Sequence, residues 1–442
     1  MANLPHIHFG QLLKAVIGVF FTLPVGLAHA QDVTRLGGDL TSDLPRIVAL
    51  ELPSPNIRSE EAFQYHLEGH ADFHSSMEGN PVLGPNFNHS SCGGCHLRNG
   101  RGAIAFSRGT VGSALLLKVS LKGLLPDGRP RDVPKVGEQL QDHTVSGKNR
   151  FNIRLSWEKV RGRYPDGTRY VLRKPKVTFK IPGVDSSRVV HSMRMTPPVV
   201  GMGLLEAIPA STLEALSDQF DLNRDGISGK INYVNSHETG TKQIGRFGFK
   251  ASHPTVKQQS AAAFFHDMGM TSTLFRESFA VPEVSDDVLD RVTFYLQAAG
   301  IPPARAQVHP DIEAGKALFV RVGCEACHKM TLQTGPSSVV EVANQTIHPF
   351  TDLLLHDLGK DLGDARREFS ATGREWRTTP LWGLGSYQVL SSRRPGFLHD
   401  GRAQTIEEAI LWHAGEAKRS RQAFMKLKRF ERAQLLKFLD SL

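Results

Sequence analysis

The chain has 442 residues, a net charge of +9 and 40% hydrophobic residues, enough for two or three domains with a sizeable core. Its positive charge is spread out, with no basic stripe interleaved with aromatics, so nucleic acid is not an expected partner.

The N-terminus has the grammar of a secretory signal, residues 1–30. Lys14 precedes an apolar run from Ala15 to Leu27, and Ala28-His29-Ala30 offers a small-residue cleavage site. Pro24 and Gly26 interrupt the run, which is short for a membrane span; an uncleaved anchor is the other reading. A periplasmic location follows as an expectation. No other segment has the length to cross a bilayer.

Residues 31–60 lack periodicity and read as an arm. Ser59 to Phe73 reads as a helix, and 79–87 as a loop leading to Cys92-Gly93-Gly94-Cys95-His96. His66, His70, His74 and His89 fall in this approach, where each is either a second axial ligand for a group held by that pentad or one of a cluster of exposed histidines. Asn99 to Gly102 turns the chain. Residues 109–190 then read as a β-rich insertion, with strand-like segments at 111–121 and 168–181 and Pro-Asp-Gly turns at 126–128 and 165–167.

From Thr196 helical patterning returns. Asp221, Asn223 and Asp225, followed by Gly226, have the alternating oxygens of a calcium loop. Asn232 stands where an EF-hand places its bidentate Glu, which excludes a full EF-hand and leaves calcium or a metal-free turn. Ser285 to Ala299 is amphipathic at helical spacing, and Gly300-Ile301-Pro302-Pro303 is the best domain boundary. A helix over 312–322 leads into Cys324-Glu325-Ala326-Cys327-His328, and a terminal helix runs from Glu431 to Leu442.

Those two pentads consume all four cysteines. C-x-x-C-H is the attachment site of a c-type haem. The thiols lie on one face of a turn, where they can add to the porphyrin vinyl groups, and the His supplies the proximal nitrogen to iron. A zinc ribbon sets its cysteine pairs closer together and needs no His after each; disulfide and redox C-x-x-C readings leave the paired histidines unexplained. The expected cofactors are therefore two covalent haem c groups, held by Cys92, Cys95 and His96 and by Cys324, Cys327 and His328, with calcium as a further candidate. The expected fold is mainly α: two cytochrome c-like haem modules, residues 31–300 with the insertion and residues 301–442.

The second half resembles the C-terminal part of bacterial di-haem cytochrome c peroxidases through Arg377-Thr-Thr-Pro-Leu381, Phe397-Leu-His-Asp-Gly401 and Thr405-Ile-Glu-Glu-Ala409. More closely, Gly203-Leu-Leu-Glu-Ala-Ile-Pro209, Asp225-Gly-Ile-Ser-Gly229, Gly245-Arg-Phe-Gly248 and Thr351-Asp-Leu-Leu-Leu-His-Asp357 are similar to the di-haem oxidoreductase family, relatives of those enzymes. The resemblance runs from about residue 60 to the end. It implies a second axial ligand four residues after Ala409, where the peroxidases have Met and this chain has His413. His356 and His399 are the rival ligands, and His399 and Arg402 are also expected around the propionates.

Peroxide reduction needs an iron with one open face, a group that moves a proton between the two oxygens, and two electrons. The expected assignment makes the haem on His328, capped by His413, the electron-transfer centre and the haem on His96 the reactive one. Glu206, in an apolar run that would raise its pKa, is the candidate catalytic acid/base, with His266 the weaker one. Trp382 and Trp412 are candidate electron relays or plain core. The partners implied are a small donor protein or quinol-linked donor, and peroxide or another oxidisable substrate. Two other functions remain open here, a non-catalytic electron-transfer cytochrome and a haem oxygenase-type or protein-modifying enzyme.

Overall fold

Several helix starts in this protein are set by capping side chains. In the computed structural model, which describes residues 34–44, 51–102, 104, 114–147, 150–276, 281–387 and 396–442, Ser59 accepts the Ala62 amide (3.0 Å) to begin α1, Glu60–His74. Acidic Glu60 and Glu61 in the first turn and His74 in the last suit the helix dipole. The expected signal segment lies outside the described residues. Among the described residues, no helix is long and apolar enough to cross a membrane.

The remaining helices begin with such a cap or without one. Cys92–Cys95 forms a single turn, α2. Met202–Glu206 is α3 and Ala210–Leu216 is α4. Thr255 caps α5 (Val256–Met268), which Gly269 closes at φ +67°. Ser285 caps α6 (Asp286–Gln297), and Pro310 begins α7 (Pro310–Arg321) at a position where no amide is needed. Ile406–Trp412, Lys418–Lys426 and Arg429–Ser441 are α8, α9 and α10.

The stretch read as strand-rich does hold strands. Leu115–Leu124 pairs antiparallel with Val189–Met195, from Leu115↔Met195 to Leu121↔Val189. Arg154–Arg163 and Arg169–Thr178 form a ten-pair hairpin across the Asp166-Gly167 turn. Leu115, Leu117, Val119, Met193 and Met195 bury a small core of their own with Leu140 and Phe151. The mainly α expectation with two cytochrome c-like modules is overturned. Helix makes up 31% and strand 19%, and the strands are spread over six small sheets among the described residues. With 41 glycines and 25 prolines, most connections between helices are irregular segments tied by two- or three-residue strands. Val33–Leu442 forms one compact unit. Within it the 300–303 passage is anchored, with Ile301 fully buried and its amide donating to the Leu40 carbonyl (2.9 Å).

Two helix crossings flank the two pentads. α1 crosses α6 where a β-carbon on Gly69 would fall 2.2 Å from the Arg291 carbonyl oxygen. α7 crosses α10 where one on Gly315 would fall 2.2 Å from the Gln434 carbonyl oxygen. Beside the second crossing the Phe319 and Phe438 rings pack at 5.6 Å. Alanine outranks glycine in a helix by about 1 kcal/mol, yet neither backbone here has room to retreat. Gly69→Ala and Gly315→Ala should each therefore destabilise, by about 1–3 kcal/mol, read as a lower melting temperature by circular dichroism. A raised melting temperature would show that the crossings yield.

Candidate functional site

The first pentad is a capped turn. Ser91 accepts the Gly94 amide (3.2 Å), and the His96 amide donates to Cys92 O (2.9 Å), so His96 follows its first cysteine by one turn. The second begins after Gly323, at φ +83°, and repeats the bond from the His328 amide to Cys324 O (3.0 Å). All four cysteines are part-buried, and none forms a disulfide among the described residues. Burial pushes the Cys92 and Cys324 thiols up to about 12 and raises Cys95 and Cys327 as well.

Each pentad histidine is held by a distant main-chain carbonyl. His96 Nδ1 lies 2.9 Å from Pro197 O, and His328 Nδ1 lies 2.8 Å from Phe350 O. A carbonyl can only accept, so Nδ1 carries the proton and Nε2 is left as a bare lone pair. Burial drives both pKa values down to about 4, which keeps the rings neutral and fit for a metal. Such an outer hydrogen bond is what fixes a ligating imidazole. Phe350 presents its carbonyl from a left-handed conformation, φ +54°, with its ring fully buried against Phe319 and Phe438.

Cys92, Cys95 and His96 open on a cavity of about 540 Å³, within the roughly 300–1,000 Å³ of cofactor pockets. Its walls come from α5, from Arg194-Met195 at the end of a strand, and from Phe247–Phe249, Arg377 and Trp382. Arg377 spends its guanidinium on the carbonyls of Gly248 (2.9 Å) and Thr378 (3.3 Å) and has no ion-paired carboxylate among the described residues. Asp352 acts on it only at a distance, so its charge can also face a group that brings its own carboxylates. The cavity, the paired thiols and the bare Nε2 fit a haem at the first pentad, and the second pentad repeats the thiols and the bare Nε2.

His413 closes α8 and repeats the pattern. Its Nδ1 is 2.7 Å from Ala409 O, leaving Nε2 free, and its ring is close enough to disfavour a proton on His328. The rival His356 is otherwise engaged, with Nε2 2.8 Å from Asp352 and Nδ1 2.7 Å from Glu416. Burial alone would lower its pKa, but the two carboxylates hold it well above the usual histidine range. A doubly paired imidazolium has no lone pair for iron. His399 stacks on Trp376 at 3.6 Å, and Arg402 is bound to Asp400 (2.6 Å). Trp382 lines the cavity, whereas Trp412 is buried under Arg402, whose guanidinium lies 4.7 Å from its ring.

Glu206 has the raised pKa its apolar surroundings imply, through burial. It is not among the cavity-lining residues, however. Its oxygens accept the Val256 amide (2.7 Å) and a hydrogen bond from Gln297, at the start of α5. His266, ten residues along α5, does line the cavity, and burial holds it neutral. His253, also lining it, keeps an unpartnered Nδ1. Asp221, Asn223 and Asp225 each turn a side-chain oxygen onto a backbone amide, of Gly226 (3.1 Å), Asp225 (2.9 Å) and Ile227 (2.7 Å), as in an Asx turn. Of the approach histidines, His89 reaches the cavity, while His66 is fully buried with both ring nitrogens unpartnered. The carbonyls of Pro197 and Phe350 and the lining cations went unread in the sequence.

A family model described as "Di-haem oxidoreductase, putative peroxidase" matches residues 129–282 and 276–442, a span that begins after the first pentad. No curated protein and no solved structure matches.

The His356 clamp makes a prediction of its own. Removing one partner of a buried charge pair costs about 3–5 kcal/mol, so His356→Gln should lose that much in denaturant unfolding. The sign with pH follows from the raised pKa. The contribution of His356 is full below the ordinary histidine range, near 6.5, and fades as pH rises through the folded value. The gap between wild type and variant should thus narrow at alkaline pH. A gap that widens there would refute the clamp.

Proposed function

Because the chain belongs to the di-haem oxidoreductase family, we propose that it is a periplasmic c-type cytochrome with two covalent haems that reduces peroxide, fed by a small donor protein or a quinol-linked donor. The observation that carries this reading is the pair of buried, neutral histidines whose Nδ1 atoms are spent on Pro197 O and Phe350 O. When bound, each haem supplies an iron that exchanges one electron, and at the first an open position for peroxide.

The rest is the work of side chains. Cys92 and Cys95, and Cys324 and Cys327, would hold the two groups, with His96 and His328 offering Nε2 to each. His413 would offer a further imidazole nitrogen to the group at His328, which would suit that group to electron transfer. At the His96 site the proton-handling group is His266, whose neutral ring can accept a proton from one peroxide oxygen and return it to the other. Glu206 acts one step removed, holding the first amide of the helix that carries His266. Arg377, which has no direct ion pair among the described residues, would face the carboxylates of the bound group.

One preparation tests all three assignments. Carbon monoxide should bind one haem of the reduced protein. His266→Gln should slow peroxide consumption with a chemical donor by about 10²–10⁴-fold at unchanged haem content. His413→Met should raise the potential of the other haem, since a thioether favours the ferrous state. If neither haem binds carbon monoxide, the protein is an electron-transfer cytochrome and the peroxidase reading fails.

A further inference from the structure

We propose that Glu51, His70 and His74 form a binding site for one divalent transition-metal cation of the zinc or copper class, apart from both haem positions. His70 and His74 stand one turn apart on α1, so their rings share a face, with centroids 4.4 Å apart. Glu51, from the segment before the helix, brings a carboxylate oxygen to 3.9 Å from His74 Nε2. One candidate ligand atom from each of the three lies within 4.8 Å of the others. All three residues are part-exposed, so an ion can reach them.

The ring of His74 is oriented for this task. A β-carbon on Gly93 would fall 2.2 Å from His74 Nδ1, so that edge is pressed against the first pentad. Nε2 points away from the pentad, 3.9 Å from the Glu51 carboxylate and 3.5 Å from the Tyr295 hydroxyl, and an ion there takes the tautomer with its proton on Nδ1.

The donor set selects the ion. Two imidazoles and one carboxylate, with a position to spare, match zinc sites of the open type, and imidazole also suits copper. Calcium and magnesium want all-oxygen shells and are disfavoured. Metal–nitrogen bonds of about 2.0–2.1 Å require the donors to draw closer by roughly 1 Å, a small rotation for part-exposed side chains.

The site also touches the haem-bearing turn on two sides, through Gly93 and through Tyr295, whose hydroxyl donates to Asn99 (3.0 Å) just after His96. A dication there disfavours further positive charge on the neighbouring iron. It should therefore raise the first haem's reduction potential, and by linkage the ion should bind more tightly to the reduced protein. The site is independent of the peroxidase reading, and either can fail alone.

The test uses the haem-loaded protein after dialysis against EDTA. Zinc titrated by calorimetry should bind with a stoichiometry of one, and copper(II) should give an electron paramagnetic resonance spectrum split by two imidazole nitrogens. His70→Ala and Glu51→Gln, both away from the haem ligands, should each weaken zinc binding by at least about tenfold, an effect that even outer-shell partners of a metal produce. Zinc should shift one haem's potential upward in the wild type and not in His70→Ala. No saturable binding of either ion, or binding that both variants leave unchanged, overturns the site.

Discussion

Two hydrogen bonds organise this protein, from His96 Nδ1 to Pro197 O and from His328 Nδ1 to Phe350 O. Each ties a five-residue motif to a segment remote in sequence or reached by an irregular loop, and each decides which nitrogen is left for a metal. The surrounding fold serves those two bonds. The Phe350 carbonyl is aimed by a left-handed backbone locked under packed phenylalanine rings. Pro197 follows directly from the strand that ends at Met195 and Thr196, so the sheet sets its position relative to the first pentad.

The two halves use similar means for different ends. In each, a helix with a glycine at its crossing point leads toward a C-x-x-C-H turn, which allows backbones to approach where side chains could not. Beyond that they diverge. The His96 side faces a cavity lined by a neutral, unpaired His266 and by cations. The His328 side meets His413, whose ring is held in the same tautomer by Ala409 O. An imidazolium clamped between Asp352 and Glu416, with its Nδ1 3.6 Å from Cys327 Sγ, keeps a fixed positive charge at the edge of that second site.

Much of this was legible in the sequence. The helices at 60–74, 286–297, 310–321 and 429–441 were visible because their caps and apolar spacing are local, and the paired C-x-x-C-H motifs are themselves local. The mainly α class misled because helical periodicity was strong, whereas two-residue strands such as Leu332-Gln333 with Thr346-Ile347 carry no pattern. The strand at 154–163 also escaped, because Arg, Glu and Lys dominate its exposed positions. Glu206 illustrates the limit of reasoning from burial alone. Its apolar surroundings raise its pKa, but which helix end it faces depends on contacts with Val256 and Gln297 that sequence spacing does not reveal.

The central claim is that both pentads carry covalent haem. Intact mass spectrometry of the mature, denatured chain tests it most directly, with the pyridine haemochrome spectrum as the count of haem per chain. The account predicts two haem additions that survive denaturation, and one fewer when either Cys92 and Cys95 or Cys324 and Cys327 are replaced by serine. A mass without haem, or with zinc in its place, would contradict it.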